Sequence, residues 1–270
     1  MSGQRILVSG DFNNLSSRHV RFLEQAARLG ELTVCLWDDE LAASVLGRQP
    51  EFPLAERTYL LASLRCVSQV VVGGQSADSL PEALLGAGAR WVMHAGENNP
   101  ARQAFSRASG LALELIPEDS LEGFPVPCEP PASERARVVV TGCYDWLHSG
   151  HVRFFEEASA FGDLYVGVGS DRTVRELKGA PHPMFPEAER RYLVQSVRFV
   201  THAFINSGSG WLDAAPDIQR LQPQVFVVNE DGDRPEKRSF CEQQGIRYVV
   251  LKRLPKEGLP NRASTELRGF

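Results

Sequence analysis

The chain has 270 residues, 43% of them hydrophobic and 23% charged, with a formal net charge of −5 at pH 7. This composition predicts one large globular domain or two smaller ones, and the acidic balance argues against a nucleic-acid partner, which would need a basic surface. Because no apolar run is long enough to cross a membrane and no signal peptide is recognisable, we expect no membrane partner and a cytoplasmic location. The five cysteines are scattered without a Cys-x-x-Cys pair, which is typical of a reducing compartment.

The first predicted element is a strand-like run at residues 5–10, and it recurs at residues 137–142. Further matches follow in the same order: His-Val-Arg-Phe at 19–22 and 151–154, Glu-Arg-x-Tyr-Leu at 56–60 and 189–193, and segments 100–105 and 235–240. An ordered series of matches at nearly constant spacing indicates two homologous domains. Five prolines fall between residues 117 and 137, so we predict a first domain at 1–116, a linker at 117–136 and a second domain at 137–270.

Within the second repeat, short apolar runs alternate with amphipathic segments. The predicted strands are 138–140, 164–168, 224–228 and 247–251, and the predicted helices are 151–161, 190–200 and 239–244. This alternation predicts an open parallel α/β sheet. In such a sheet, ligands bind at the carboxyl ends of the strands near the switch in strand order. The loop at residues 141–150 lies at such an end.

That loop reads Gly-Cys-Tyr-Asp-Trp-Leu-His-Ser-Gly-His from residue 142 to residue 151. Gly142 allows a tight turn that brings backbone N–H groups close to a phosphate. His148 and His151, with Gly150 between them, are expected to face one point above a helix N-terminus. Two donors at that point suit a phosphoryl group whose charge grows in the transition state. Either histidine alone is more simply explained as a surface or capping residue, but the whole arrangement after a strand indicates a triphosphate site.

The stretch resembles the first motif, G-x-F-D-x-x-H-x-G-H, of the cytidylyltransferase-like nucleotidyltransferases in the H-x-G-H superfamily, with Tyr144 as the aromatic residue. The similarity covers nearly all of residues 137–268 and continues through Gly162-Asp163, Val168 to Asp171, Lys178-Gly179, Glu189-Arg190 and Arg262 to Thr265. The tandem layout resembles that of the ethanolamine-phosphate cytidylyltransferases. Residues 142–179 also resemble the nucleotidyl-transferring domain of the bacterial heptose-phosphate enzymes, which use ATP.

The resemblance implies an α/β fold of two tandem Rossmann-like, parallel-sheet domains that form an internal pseudo-dimer, in a monomer or a homodimer. It implies transfer of a nucleoside monophosphate to a small phosphorylated alcohol or sugar, with release of pyrophosphate and without a covalent enzyme intermediate. CTP is the first candidate for the donor. ATP stays open as the second candidate, because Asn229 to Asp233 replace the family's Gly-x-Asp segment at the base pocket. Mg²⁺ is the expected cofactor.

The resemblance also assigns roles to residues of this chain. The catalytic set is His148, His151, Lys178, Ser264 and Thr265. The nucleotide-binding set is Gly142, Cys143, Tyr144, Asp145, Gly150, Asp171, Arg190, Asn229, Asp231 and Arg262. Mg²⁺ is expected to arrive with the triphosphate, with Asp145 or Asp171 either helping to hold it or ordering the loops.

Simpler roles stay open for several of these residues. Lys178 is also consistent with a solvated loop lysine, Arg190 with a partner of Glu187 or Glu189 on its own helix, and Ser264 with a helix N-cap. Residues 253–262 are longer than the usual link to the Ser-Thr motif, and their basic side chains, Lys256 among them, either reach the substrate phosphate or belong to an idle loop. Trp211 and the Asn229 region are expected to shape the acceptor pocket.

The first repeat reads Gly-Asp-Phe-Asn-Asn-Leu-Ser-Ser-Arg-His from residue 10 to residue 19. Ser16 replaces the first histidine, Arg18 replaces the glycine, Asn13 replaces the aspartate, and only His19 survives. Since Arg18 would fill the path of the triphosphate, we predict a catalytically silent first domain with a structural role. Binding of a regulator in its remnant cleft is the alternative. The rival to an enzyme is a nucleotide-sensing protein in which neither domain is catalytic.

Overall fold

The structure is a computed structural model that describes residues 4–262. The chain divides into two compact units, Met1–Gly123 and Phe124–Phe270. This division falls inside the segment predicted as a linker. Residues 118–121 form a 3-10 turn that packs on the first helix, and the Arg21 guanidinium donates to the Ser120 carbonyl at 2.9 Å. The first unit therefore extends a few residues beyond the boundary that proline content indicated.

The first unit is one parallel sheet with connecting helices. Its elements are β1 (Arg5–Gly10), α1 (Ser17–Ala27), β2 (Glu31–Leu36), α2 (Asp39–Leu46), α3 (Leu54–Ala62), β3 (Gln69–Val72), β4 (Ala89–His94), α4 (Pro100–Ser109) and β5 (Ala112–Ile116). The strand order is β3-β2-β1-β4-β5, with every pair parallel. A 3-10 turn, Ala95–Glu97, follows β4.

The second unit repeats this topology. Its elements are β6 (Arg137–Gly142), α5 (Ser149–Ser159), β7 (Asp163–Val168), α6 (Asp171–Lys178), α7 (Glu187–Ser196), β8 (His202–Ile205), α8 (Ala215–Leu221), β9 (Val225–Asn229), α9 (Pro235–Gln243) and β10 (Arg247–Leu251). The order β10-β9-β6-β7-β8 is again wholly parallel. The predicted α/β class with two parallel sheets is confirmed.

The central strands of the second unit are apolar because both faces of a parallel sheet are covered. Val138, Val139 and Val140 of β6 are fully buried, as are Phe155 of α5 and Val166 of β7. Burial of such a side chain stabilises the fold by roughly 1.5–3 kcal/mol. In each unit the strand order reverses beside the first strand, so in the second unit a crevice opens at the carboxyl ends of β6 and β9. No helix within residues 4–262 has the length and apolarity to span a membrane.

Candidate active site

The loop from β6 to α5 crosses this crevice in a constrained conformation. Tyr144 has a φ of 53°, a left-handed conformation that costs a side-chain-bearing residue roughly 1–2 kcal/mol. Its ring packs on His151 and on Phe155, with centroid separations of 5.2 Å in both cases. A Cβ on Gly142 would lie 2.7 Å from Tyr144 Cζ, so the glycine is required where the ring folds back over the strand end.

His148 and His151 form a stacked pair at the N-terminus of α5. Their ring centroids are 3.9 Å apart with an interplanar angle of 23°. His148 is the N-cap residue, and its Nδ1 accepts a hydrogen bond from the Gly150 N–H at 3.1 Å. Since Nδ1 accepts, the proton of the neutral ring is on Nε2. The motif histidines therefore lie together, as the sequence predicts.

Burial keeps both imidazoles uncharged. The His148 side chain is 1% exposed, and burial lowers its pKa to about 3, with the Arg253 and Arg262 guanidinium groups acting in the same direction. Burial, and then the neighbouring His148, lowers the pKa of His151 well below its usual value. At neutral pH both rings are neutral donors, and the positive charge of the site comes from arginine and lysine side chains.

A cavity of about 300 Å³ opens beside the histidines. The predicted site residues that line it are Gly142, Cys143, Tyr144, Asp145, His148, Gly150, His151, Lys178, Asn229 and Asp231. Arg262 lines a smaller recess next to it, together with Gly150 and Asn229. Ser264 and Thr265 lie outside the described residues.

A second cavity, of about 340 Å³, adjoins the first and shares part of its wall, including Gly142, Lys178 and Asp231. Its own wall is apolar at Val174, Leu177 and Trp211 and polar at Thr173, Asn206 and Asp213. Trp211 is 55% exposed, and the Arg234 guanidinium lies 5.1 Å from its ring centroid. Two connected compartments at the strand ends give room for two ligands that meet at the shared wall.

Comparison with known proteins identifies the family. The family model described as cytidylyltransferase-like matches residues 139–256. The FAD synthase of Methanocella arvoryzae is 31% identical over 135 residues, which cover 49% of this chain and 92% of that protein. The chain belongs to the cytidylyltransferase-like family. The predicted family is thereby confirmed, and with it the broader assignment to the nucleotidyltransferases.

Two other similar proteins differ in how much of their own length matches this chain. The bifunctional protein HldE of Geotalea uraniireducens is 42% identical over 117 residues, which cover 42% of this chain but 23% of HldE. The chain thus matches less than a quarter of that relative. The crystal structure of a lipopolysaccharide core biosynthesis protein from Thermoplasma volcanium GSS1 has 26% sequence identity and a TM-score of 0.38, covering 43% of this chain and 96% of that protein.

The structure corrects the role expected of Arg190. Its side chain is fully buried and does not line either cavity. The guanidinium donates to the Phe185 carbonyl at 2.8 Å, to the Cys143 carbonyl at 2.6 Å and to Asp171 Oδ1 at 2.7 Å. The hydrogen bonds of Arg190 therefore go neither to a nucleotide site nor to the expected helix partners Glu187 and Glu189. Arg190 instead ties α7 and α6 to the motif loop.

Asp145 and Asp171 are likewise occupied by protein partners. Asp145 Oδ2 is 2.8 Å from His182 Nδ1, and Oδ1 accepts from the Met184 and Phe185 N–H groups at 2.7 and 3.1 Å. Asp171 is the partner of Arg190 and lies outside both cavity walls. Within residues 4–262 no group of three or more His, Cys, Asp or Glu side chains could hold a metal ion. Both carboxylates therefore order the loops around the site, which is one of the two roles that the sequence left open for them.

Two basic residues outside the predicted site set also line the first cavity: Arg253, from the basic segment 253–262, and Lys237, which the sequence did not single out. Arg253 donates to Asp231 Oδ2 at 2.5 Å and to the Arg262 carbonyl at 2.9 Å, which holds it beside the histidines. Lys237, the third residue of α9, lines both cavities. Lys256 forms an ion pair with Glu156 Oε1 at 2.7 Å and does not line the cavity. The positive charge of the segment after β10 thus reaches the site through Arg253.

The first unit has a small remnant of the site. Its cleft has a volume of about 100 Å³ and is lined by Asp11, Arg18, His19, His94 and Glu97, among others. Arg18, in the position of Gly150, forms an ion pair with Glu118, and Glu118 Oε1 also lies 2.7 Å from His94 Nδ1. Internal ion pairs therefore fill the place where the second unit has an open wall.

Proposed function

We propose that this protein transfers a nucleoside monophosphate from a nucleoside triphosphate to a small phosphorylated alcohol or sugar, with release of pyrophosphate. The observation that carries the proposal is the stacked, neutral pair His148 and His151 at a helix N-terminus, lining a cavity that continues into a second one. One cavity holds the triphosphate and the other holds the acceptor, so that the reacting groups meet at the shared wall.

The reaction is an in-line displacement. An oxygen of the acceptor phosphate attacks the α-phosphorus, a new P–O bond forms, and the bond to the β-phosphate oxygen breaks so that pyrophosphate leaves. His148, whose Nδ1 is held by the Gly150 N–H, directs Nε2–H to an oxygen on which negative charge grows. One positioned donor of this kind is worth about 10²–10³ in rate. The metal enters as part of the substrate, a magnesium-bound triphosphate, whose charge Arg253 also balances.

The donor base is where the sequence motifs and the relatives favour different nucleotides. The family description and the tandem layout favour CTP. A relative that matches over 92% of its length is a FAD synthase, whose product contains an adenine nucleotide, and this favours ATP. Asn229 and Asp231 line the triphosphate cavity where the family's Gly-x-Asp segment would be. We rank ATP first and CTP second on the strength of that relative.

The acceptor is assigned to the second cavity. Asn206 Oδ1 is buried there and has no hydrogen-bond donor among residues 4–262, which suits a ligand hydroxyl. A Cβ on Gly167 would collide with that oxygen, so the glycine is required where the Asn206 side chain packs against β7. Trp211 at the mouth offers an apolar face to a ring or a carbon chain. A compact acceptor that carries both a phosphate and hydroxyl groups fits this wall.

A pyrophosphate-release assay tests the proposal. The full chain is incubated with ATP, CTP, GTP or UTP, each with magnesium, and with a panel of sugar and polyol phosphates. We expect release with one triphosphate and with an acceptor from the panel, and no release without the acceptor. Tight nucleotide binding with no release for any pair would contradict the enzyme and favour the non-catalytic sensor.

A further inference from the structure

The wall shared by the two cavities contains a buried lysine to which the proposed reaction has not yet given a role. Lys237 is 9% exposed, lies on α9 and lines both cavities, as does Lys178 at the end of α6. The two lysines reach the shared wall from different helices. A ligand group that passes from one cavity to the other must pass both ammonium groups.

The Lys237 ammonium is poorly compensated by the protein. Its Nζ donates to the Gly232 carbonyl at 3.3 Å, and it lies 6.0 Å from the Phe226 ring centroid. Among residues 4–262 no carboxylate forms an ion pair with it. Burial lowers its pKa, and the largest opposing influence is the more distant Asp213 carboxylate. A buried cation is unfavourable unless it is paired, so this one is suited to an anion that the protein does not itself supply.

In the first unit, the residue equivalent to Lys237 is paired with carboxylates of the protein itself. Arg102 is the third residue of α4, as Lys237 is the third residue of α9, and it also lies over an aromatic ring, that of Trp91 at 5.7 Å. Two carboxylates pair with it, Asp78 and Glu97, each at 3.3 Å.

Gly232 takes the place of one of those carboxylates. Glu97 ends the 3-10 turn after β4, and Gly232 ends the matching turn after β9. The second unit therefore keeps the buried cation and the aromatic ring below it but replaces the carboxylate by a glycine. The position that a carboxylate fills in one unit is left to a ligand anion in the other.

We propose that Lys237 and Lys178 form an anion subsite at the shared wall and that it binds the phosphate group of the acceptor. This inference rests on the proposed function. The acceptor is favoured over the triphosphate as the source of the anion because Lys237 lines the second cavity, which Arg253 does not line. Arg253 and Arg262, next to the histidines, serve the triphosphate. The two lysines hold the attacking phosphate on the opposite side of the α-phosphorus.

Inorganic phosphate is the probe for this subsite. It is titrated calorimetrically into the full chain in the presence of saturating ATP and, separately, CTP. We expect Lys237→Met to weaken phosphate binding at least tenfold and Lys237→Arg, which keeps the charge, to weaken it less than threefold. Equal phosphate affinity in the wild type and Lys237→Met would overturn the inference, as would the absence of phosphate binding by the wild type.

Arg102→Met is the matched control. It removes the paired cation at the equivalent position, so we expect it to lower Tm and to leave phosphate affinity unchanged. Lys237→Met removes an unpaired buried cation, so we expect its Tm to equal or exceed that of the wild type. A fall in Tm like that of Arg102→Met would mean that Lys237 is a structural residue and would overturn the inference.

The affinity for the nucleotide distinguishes the two possible sources of the anion, the acceptor phosphate and the triphosphate. If Lys237 binds the acceptor phosphate, Lys237→Met leaves the Kd for the triphosphate within about twofold of the wild-type value, and in the pyrophosphate-release assay it raises KM for the acceptor alone. A parallel loss of triphosphate affinity would overturn the acceptor assignment. Absence of turnover in the wild type would contradict the proposed function. The phosphate titration would still test the anion subsite, because it measures binding and not turnover.

Discussion

At the scale of single residues, the motif histidines work as neutral donors because the fold removes them from water. The stacking of His148 on His151 would be repulsive if both rings carried a charge, and burial ensures that neither does. The Gly150 N–H then fixes which nitrogen of His148 holds the proton. The glycine thus has two effects, since it leaves room for a ligand and it orients the first histidine.

The lowered pKa of His148 predicts how stability depends on pH. In the unfolded chain this imidazole takes up a proton near its ordinary pKa of 6.5, whereas the folded protein resists protonation until about pH 3. The unfolded state therefore binds more protons between these values, and stability falls as pH falls below 6.5. From pH 7 to pH 5 the wild type should lose about 2 kcal/mol more than His148→Asn, which keeps a capping side chain.

The measurement is the free energy of unfolding from urea titrations of both proteins at the two pH values. If His148→Asn and the wild type lost the same free energy on acidification, His148 would be titrating normally in the folded state. The neutral-donor account of the site would then be wrong.

The sequence located the histidine motif because a ten-residue pattern after a strand is specific. It included Arg253 in the basic segment after the last strand, but it did not find Lys237, because the role of Lys237 depends on contacts made by distant parts of the chain. The signal that could have found Lys237 is internal: it aligns with Arg102 in the first repeat, while its neighbour Gly232 aligns with an acidic residue, Glu97. Arg190 was assigned to the nucleotide because a match to a family motif does not distinguish a ligand contact from a buried structural contact.

At the scale of elements, both units contain the same arginine brace, a buried guanidinium that links two helices to the loop after the first strand. Arg57 of α3 donates to the Phe52 carbonyl at 2.9 Å, to the Asp11 carbonyl at 2.6 Å and to Asp39 Oδ1 at 2.6 Å. These contacts match those of Arg190 in the second unit. Because the first unit keeps this arrangement without the motif histidine and glycine, the brace belongs to the fold and not to the chemistry.

Removing the brace should therefore destabilise either unit. Arg190→Leu and Arg57→Leu each leave a carboxylate and buried carbonyls without their donor, and we expect each to cost about 3–5 kcal/mol. Urea unfolding of the two variants measures this. The outcome that contradicts the brace is an Arg190→Leu protein of normal stability that has lost nucleotide affinity.

The elements themselves were partly predictable. Four of the five strands of the second unit are short apolar runs and were predicted to within two residues, whereas β8 (His202–Ile205) was not predicted. The helix predicted at 190–200 instead spans 187–196, because Val197 adopts an extended backbone. The helices α6 and α8 were not predicted, since they are eight and seven residues long and their outer faces are polar, so their stability comes from packing on the sheet.

At the scale of the whole molecule, one fold occurs twice with opposite charge at its strand ends. The second residue after the last strand is Arg253 in one unit and Glu118 in the other, and Gly150 is matched by Arg18. In the second unit the basic residues face an open cavity, whereas in the first unit Arg18 and Glu118 neutralise each other. The repeat and the blocking residue Arg18 could be predicted from the sequence, but its partner Glu118 could not, because the two side chains come from separate strand ends.

The most direct test of this division is pyrophosphate release by His148→Ala and by its counterpart Ser16→Ala in the first unit, with the substrate pair that the wild type selects. His148→Ala removes a transition-state donor, so turnover should fall at least about a hundredfold. Ser16→Ala should stay within about twofold of the wild type, and nucleotide titration should give one site per chain. A large loss with Ser16→Ala, or near-normal turnover with His148→Ala, would contradict the claim that the second unit alone carries out the chemistry.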